Sequence, residues 1–154
     1  MKPGIHNFSE IGKLNKVLLH RLGDEVEGLV PDNFERLLFD DIPYLRVAQQ
    51  EHDRFAQLLR DNGVEVLYYI DETAKALENP GVKSKFIKEF LDASHIYSHG
   101  VYEELSEYLE GLSAYDVVSK AIAGIKKGEI PDIKHKSLAD YISVSYPYYT
   151  DPMP

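Results

Sequence analysis

Two pairs of side chains in this sequence have types and spacing that suggest chemistry. Asp40 and Asp41 are neighbours ahead of Pro43, where two carboxylates on a loop could hold a guanidinium group or orient a base. Adjacent acids more often cap a helix or solvate a turn, and that role is favoured here. His95 and His99 are four residues apart, a spacing that places both imidazoles on one helix face, as in zinc sites. The residues between them include no glutamate, so two surface histidines are the favoured interpretation.

The other candidate groups have no partner at a useful spacing. His20 follows a short apolar run and could act as a general base, although a core histidine hydrogen-bonded to the backbone is the favoured interpretation. Tyr146, Tyr148 and Tyr149 could stack on a ligand, but such a cluster more often packs a strand against helices. Neither a Gly-rich phosphate loop nor a Gly-x-Ser-x-Gly elbow occurs. The residues taken alone therefore show no complete active site.

The composition excludes several classes of protein. A formal net charge of -9 disfavours nucleic acid and anionic membranes as partners, and it favours cationic ligands such as a guanidinium or an amine. The sequence has no cysteine, which excludes disulfides, thiolate metal sites and a thiol nucleophile within this chain. No run approaches the ~18 apolar residues of a membrane-spanning helix, and the first residues lack an apolar signal segment. A cytoplasmic location is expected.

A strand–helix–strand unit must position the early candidates. Residues 16–20 form a short apolar run typical of a buried strand, and residues 64–70 predict a second strand. Residues 46–62 predict the helix between them, which Gly63 ends. Its buried stripe is expected to contain Val47, Ala48, Phe55, Leu58 and Leu59, and its outer side Gln49, Gln50, Asp53 and Arg54.

Helices follow the second strand. Asp71 is expected to cap a helix through Leu77, and Asn79 with Pro80 predicts a cap and a first-turn proline for the next one. Ser113 and Asp116 predict a capping box for a helix whose inward residues extend to Ile125. These amphipathic helices predict a small bundle, followed by an extended segment over residues 142–149. Two strands and an exit segment are too few for an independent sheet, so partner strands from elsewhere are expected.

Several motifs together resemble the opening of arginine deiminases. They are, in chain order, Ile5-His6, the stretches 9–14 and 17–21, Leu37-Leu38-Phe39-Asp40-Asp41-Ile42, Ala48-Gln49, Glu51-His52-Asp53, the stretch 59–66 and Asp151-Pro152-Met153-Pro154. The resemblance covers the whole chain, and its strength is in the order and spacing of the motifs. Leu22 departs from the pattern, because the family usually has proline before the glycine at position 23.

The resemblance implies an α+β fold of the pentein type: an α/β propeller of repeated units around a central site, with an inserted helical bundle. On that basis residues 1–72 are expected to begin the α/β domain, residues 73–141 to form the helical insertion, and residues 142–154 to return to the α/β domain. The chain would then be an amino-terminal fragment that ends before the main active-site motifs.

The implied activity is hydrolysis of L-arginine to L-citrulline and ammonia. In this family a cysteine thiolate attacks the guanidinium carbon, ammonia leaves, and water resolves the covalent intermediate. No metal or organic cofactor is expected. Leu38 matches a residue that lines the family's substrate pocket, whereas Asp40 and Asp41 are assigned a structural role in the loop. No catalytic residue of the family falls within this chain, so the fragment is expected to be inactive on its own.

Two alternatives remain open at this stage. The chain could be a non-catalytic interaction or oligomerisation module, since an incomplete sheet has edges that recruit strands. It could also belong to another guanidine-modifying pentein, such as an amidinotransferase or a dimethylarginine hydrolase. L-arginine is the expected partner of the full-length enzyme, and a homo-oligomer or self-association through strand pairing is expected.

Overall fold

The computed structural model describes Asn7, residues 9–29, Pro31, Phe34, Leu37, residues 40–130 and residues 147–153. The elements are β1 (Lys16–Leu19), α1 (Asp24–Glu27), α2 (Leu45–Asp61), β2 (Glu65–Tyr68), α3 (Tyr69–Leu77), α4 (Pro80–Ala93), α5 (His99–Gly111), α6 (Ala114–Ala123), β3 (Ile125–Lys126), a 3-10 helix (Lys127–Glu129) and β4 (Tyr148–Thr150). Helices and two small sheets place the chain in the α+β class.

The first sheet pairs β1 with β2 in parallel, as the strand–helix–strand pattern predicts. The register runs from Lys16 opposite Glu65 to Leu19 opposite Tyr68. Because side chains alternate between faces, one face carries Val17, Leu19, Val66 and Tyr68 and the other carries Lys16, Leu18, Glu65 and Leu67. Helix α2 covers the first face, where the Tyr68 ring lies 5.9 Å from the His52 ring.

The prediction for the faces of α2 is partly wrong. Ala48 and Leu59 are half-buried and Ala56 is fully buried, but Val47, Phe55 and Leu58 are exposed. The apolar residues of this helix occupy a wider part of its circumference than the two-stranded sheet can contact, so only some of them are covered. Gln49, which was expected to face outward, instead points toward the β1–α1 loop.

The boundary between β2 and the next helix also differs from the prediction. The strand ends at Tyr68 and α3 begins at Tyr69 with no intervening loop, whereas the sequence predicts a strand through residue 70 and a cap at Asp71. Ile70 packs against the helical core, so its burial in that core overrides its preference for a strand.

Helices α3 to α6 enclose a common hydrophobic core, and the local signals at their starts are confirmed. The Asn79 side chain accepts a hydrogen bond from the Gly81 N–H at 3.0 Å, with Pro80 in the first turn of α4. The Ser113 hydroxyl oxygen accepts the Asp116 N–H at 3.1 Å at the start of α6. The buried core residues are Leu77, Ile87, Leu91, Val101, Leu105, Leu109, Val117, Val118, Ile122 and Ile125.

The end of α6 corrects a second expectation. The helix ends at Ala123, and Ile125 belongs to β3, which pairs antiparallel with β4. Gly124 has φ +77°, and a Cβ at this position would lie 2.6 Å from the Thr150 carbonyl oxygen, so glycine is required for the turn. The Ile125 N–H donates to the Thr150 hydroxyl at 2.9 Å, which fixes the junction.

Among the helices of the described part, none is long and apolar enough to cross a membrane. The exit segment predicted over residues 142–149 is described from Pro147 onward, where β4 accounts for Tyr148 and Tyr149. The rest of that prediction, with Tyr146, lies outside the described residues.

Candidate functional site

The carboxyl ends of β1 and β2 open into a cavity of about 410 Å³. Its other walls are the β1–α1 loop, the first turn of α3 and one side of α6. Crevices outside the carboxyl ends of parallel strands are common ligand sites in α/β layers. The polar and aromatic part of the lining consists mainly of Arg21, Asp24, Glu25, Tyr69, Asp71 and Tyr115.

A buried carboxylate organises the loop at the bottom of this cavity. Glu25 in α1 is only 3% exposed. Its carboxylate oxygen accepts the Gly23 N–H at 2.6 Å and lies 2.9 Å from His20 Nε2. Burying a carboxylate is costly unless hydrogen bonds replace its hydration, and these two contacts provide that replacement. The β1–α1 loop is therefore folded back over its own acidic residue.

Helix α2 holds the same loop from the outside. The Gln49 amide donates to the Leu22 carbonyl oxygen at 2.8 Å. Arg21 donates to the Asp53 carboxylate through Nε at 2.8 Å and through a terminal nitrogen at 3.0 Å, a bidentate pair. Their mutual hydrogen bonding raises the pKa of Arg21 and lowers the pKa of Asp53. Both residues are largely exposed, so the pair orients the loop more than it stabilises the fold.

His52 lies on the inner side of α2, next to Tyr68. Burial lowers its pKa from the ordinary value of 6.5, and the positive charge of Arg21 acts in the same direction. Within the described part of the chain, its buried Nε2 atom has no hydrogen-bond partner. Protonation would place an N–H without an acceptor in that position, so the neutral ring is favoured.

The charged and aromatic groups that line this cavity are of the kinds that attract a cation. Its lining carries three carboxyl groups, from Asp24, Glu25 and Asp71, against one guanidinium group that is paired with Asp53. Tyrosine rings in the wall add faces that attract cations. The sequence has no cysteine to serve as a nucleophile. Among the described residues, no group of His, Asp or Glu is arranged to hold a metal ion.

The residues singled out from the sequence are placed in different ways. Leu38, the expected substrate-binding residue, lies outside the described residues and stays a prediction. Asp40 and Asp41 are exposed, and the Asp41 carboxylate accepts the Ile42 N–H at 2.8 Å, a local contact of the loop. His95 and His99 are both exposed, and His99 pairs with Glu103 on its own helix at 3.2 Å.

Two predictions about aromatic and imidazole groups have definite outcomes. His20 follows β1 and contacts the Glu25 carboxylate, so the expectation of a bond to the backbone is wrong. The reason is that the chain turns at Gly23 and brings α1 back beneath the strand end. Tyr148 is buried and donates to the Gly28 carbonyl oxygen at 2.7 Å, which fits the packing role favoured for the tyrosine cluster.

Sequence reasoning missed Glu25, Gln49 and the pair formed by Arg21 and Asp53. An acid two residues after the glycine that follows the first strand, with a histidine five residues before it, is a signal that could have indicated Glu25. The other contacts join residues 27 and 32 positions apart, so no local spacing reveals them.

The fold and cavity define a class before any comparison: an α+β protein with an acidic, aromatic-lined crevice at the ends of parallel strands. Comparison with known proteins then gives a family. A family model described as arginine deiminase matches residues 35–154. An arginine deiminase of Streptococcus gordonii is 48% identical over 153 residues, covering 97% of this chain and 37% of the relative. An arginine deiminase of Streptococcus pneumoniae is 49% identical over 153 residues, with the same coverage.

This chain belongs to the arginine deiminase family, because the family model matches well over half of its residues. The resemblance drawn from the motifs is thereby confirmed. The chain spans about 37% of the length of the curated relatives that it matches.

Proposed function

We propose that this chain supplies the amino-terminal part of an arginine deiminase, the hydrolase that converts L-arginine to L-citrulline and ammonia. The observation that carries this proposal is 48% identity to an arginine deiminase across 97% of the chain. This identity extends along nearly the whole chain, so the proposal does not depend on any single motif.

The acidic character of the chain agrees with a cationic substrate. A net charge of -9 and the carboxyl groups around the cavity attract a guanidinium group at long range. We assign the bond-breaking chemistry to residues that this chain does not contain, because the family's mechanism needs a thiolate and the sequence has no cysteine.

The architecture of the complete enzyme is part of the proposal. We propose a pentein-type α/β propeller in which residues 1–72 begin the α/β domain, residues 73–141 form a helical insertion, and residues 142–154 return to the α/β domain. The parallel pairing of β1 with β2 is consistent with the start of such a domain. The closed core of α3 to α6 is consistent with a separate helical unit. We also propose a cytoplasmic enzyme that works as a homo-oligomer.

A paired assay tests the function. L-arginine is titrated calorimetrically into the chain, and citrulline is measured in the same sample. No citrulline is expected, since the covalent route has no nucleophile. A chimera that joins this chain to the portion of the Streptococcus gordonii relative that it does not match is expected to form citrulline. Turnover by the chain alone, or a folded chimera without activity, would contradict the proposal.

Leu38 is the residue of this chain that we assign to the wall of the substrate pocket. In an active chimera, Leu38→Ala should raise KM for L-arginine about 10- to 100-fold, because an apolar contact of this kind contributes about 1–3 kcal/mol. Leu14→Ala, at an exposed position, is the matched control and should leave KM unchanged. An unaltered KM in the Leu38 variant would remove that residue from the pocket.

A further inference from the structure

Arg21 is a positively charged side chain in the wall of an otherwise acidic cavity. Among the described residues that line this cavity, it is the only lysine or arginine, against the carboxyl groups of Asp24, Glu25 and Asp71. A free guanidinium group in that wall would oppose a cationic ligand, because like charges repel strongly where protein limits screening by water. The place at which the charged end of Arg21 is held therefore matters for the ligands that the cavity admits.

Asp53 determines where that charged end lies. It belongs to α2 and stands outside the described lining of the cavity. Its two carboxylate oxygens accept hydrogen bonds from Arg21 Nε at 2.8 Å and from a terminal nitrogen at 3.0 Å. Two such bonds fix the plane of the guanidinium group as well as its position. Asp53 thus draws the charge of Arg21 toward α2 and balances it.

The backbone of the β1–α1 loop has other anchors, so it does not need this pair in order to fold. The Leu22 carbonyl oxygen accepts from the Gln49 amide at 2.8 Å, and the Gly23 N–H donates to the Glu25 carboxylate at 2.6 Å. The side chains of the pair are 41% and 51% exposed, and such pairs contribute little to stability. The effect of Asp53 is therefore local to the Arg21 guanidinium group.

We propose that Asp53 is a positioning residue of the deiminase, which holds the Arg21 guanidinium group out of the path of the cationic substrate. This inference rests on the proposed function, and it takes the cavity as part of the route by which L-arginine reaches the active site. The same connection between β1 and α2 carries Leu38, which is assigned above to the substrate pocket. Asp53 touches no substrate in this proposal, because it acts only through Arg21.

Steady-state kinetics of the chimera with the Streptococcus gordonii portion test the proposal. Asp53→Asn keeps the size of the side chain but leaves the Arg21 charge unbalanced, so KM for L-arginine should rise about tenfold with kcat nearly unchanged. Asp53→Glu retains the carboxylate and should stay near wild type. Asp61→Asn is the matched control, because Asp61 is also an exposed acid of α2 and accepts a hydrogen bond from Gln57 at 2.7 Å, away from the cavity.

A second substitution separates the effect of charge from the loss of a contact. Arg21→Gln, added to Asp53→Asn, removes the unbalanced cation and should return KM to near the wild-type value. Loss of a purely structural contact would leave the double variant as impaired as Asp53→Asn. L-citrulline gives a further comparison, because its ureido group is neutral and close in shape to the guanidinium group. Its competitive inhibition constant should hardly change in Asp53→Asn.

The pair itself is measurable in the isolated chain. Nitrogen-15 NMR should show an Arg21 Nε–H that exchanges slowly with water in the wild type and in Asp61→Asn, and rapidly in Asp53→Asn. Rapid exchange in the wild type would overturn the proposal, because Asp53 would then not hold the guanidinium group.

Three kinetic results would also overturn it. They are a wild-type KM in Asp53→Asn, a double variant that does not recover, and equal changes for L-arginine and L-citrulline in Asp53→Asn. Each of these leaves the proposed function intact, since the chimera is active in all of them. A folded chimera without activity contradicts the proposed function instead.

Discussion

Glu25 is a buried charged residue among the described residues, and the loop at the cavity depends on it. Its carboxylate replaces lost hydration with contacts to the Gly23 N–H and to His20. Leaving a buried polar atom without a hydrogen bond costs more free energy than the bond itself contributes. The fold of the loop is therefore sensitive to substitutions that remove one of these partners. His20 and Gly23 at the cavity are therefore coupled through the Glu25 carboxylate.

The first residue-scale prediction concerns this carboxylate. Glu25→Gln removes the negative charge from the oxygen that accepts both contacts, so charge-assisted hydrogen bonds become weaker neutral ones and the free energy of unfolding should fall by about 1–3 kcal/mol. Urea unfolding followed by circular dichroism measures the change. Glu27→Gln, on the same short helix but exposed, is the control and should stay within about 0.5 kcal/mol of wild type. Equal effects of both substitutions would contradict the role assigned to Glu25.

The second residue-scale prediction concerns pH. The pKa of His52 is lowered in the folded chain, mainly by burial, so the unfolded chain binds this proton more readily. Above the unfolded pKa of about 6.5, His52 is neutral in both states and does not reduce the free energy of unfolding. As pH falls below that value toward the lower folded pKa, protonation of the unfolded chain reduces the free energy of unfolding. Urea unfolding at pH 7 and at pH 5 should show a loss for wild type. His52→Gln should show a smaller loss, and an identical loss would contradict the prediction.

At the scale of elements, local signals predicted the boundaries that depend on nearby residues and missed those that depend on packing. The caps at Asn79 and Ser113 depend on residues two or three positions apart, and both are present in the structure. The start of α3 and the end of α6 depend instead on contacts that sequence spacing does not contain. Ile70 is drawn into the helical core, and the chain at Gly124 turns against β4. Tertiary packing decides these boundaries, and it also turned Gln49 inward.

In the candidate site, likewise, the position could be predicted from the sequence and the long-range contacts could not. The pairing of two strands around a helix, and hence the position of a crevice at their ends, follows from hydrophobic periodicity and the glycine at position 63. The groups that fill the crevice do not follow, because Arg21 meets Asp53 only after the chain has folded. The role of Leu38 was inferred only from the resemblance of its motif to the family, and that role stays a prediction.

Three glycines allow an element-scale test of backbone geometry. Gly63 and Gly124 both have φ near +78°, but a Cβ at position 63 meets nothing, whereas one at position 124 would collide with the Thr150 carbonyl oxygen. Gly63→Ala should cost about 1 kcal/mol for the left-handed backbone alone. Gly124→Ala should lower the free energy of unfolding by at least about 1 kcal/mol more than Gly63→Ala does. The unfavourable backbone conformation and the clash with Thr150 both act at that position.

Gly111→Ala is the control for this series. Gly111 ends α5 with open space around it and without a left-handed backbone, so alanine should be neutral or stabilising by up to about 1 kcal/mol. Urea unfolding of the three variants gives the ranking. If the alanine variants at positions 63 and 124 lose equal stability, the contact of Gly124 with β4 does not constrain the fold.

At the scale of the whole molecule, the two parts of the chain are completed to different degrees. The cluster of α3 to α6 has a core of fully buried side chains, including Leu105 and Leu109. The parallel sheet is covered on the side of α2 only, and on its other face Leu18 is 53% exposed beside the Lys16–Glu65 salt bridge. Parallel sheets in folded proteins are normally covered on both faces. The open face therefore fits a chain that spans about 37% of the length of its relatives.

This difference leads to a prediction about where the stability of the chain resides. Leu105→Ala removes a side chain with no exposed surface and should lower the free energy of unfolding by about 2–5 kcal/mol, since lost burial and a cavity add together. Leu18→Ala removes a half-exposed side chain from the open face and should cost well under about 1 kcal/mol in the isolated chain. In the chimera with the Streptococcus gordonii portion, a second layer over the sheet would bury Leu18, and the cost of Leu18→Ala should rise toward that of Leu105→Ala. Urea unfolding of both variants in both contexts measures the four values. A cost at Leu18 that does not change between the isolated chain and the chimera would mean that the open face stays in water in the complete enzyme, and that the sheet is extended only along its edges.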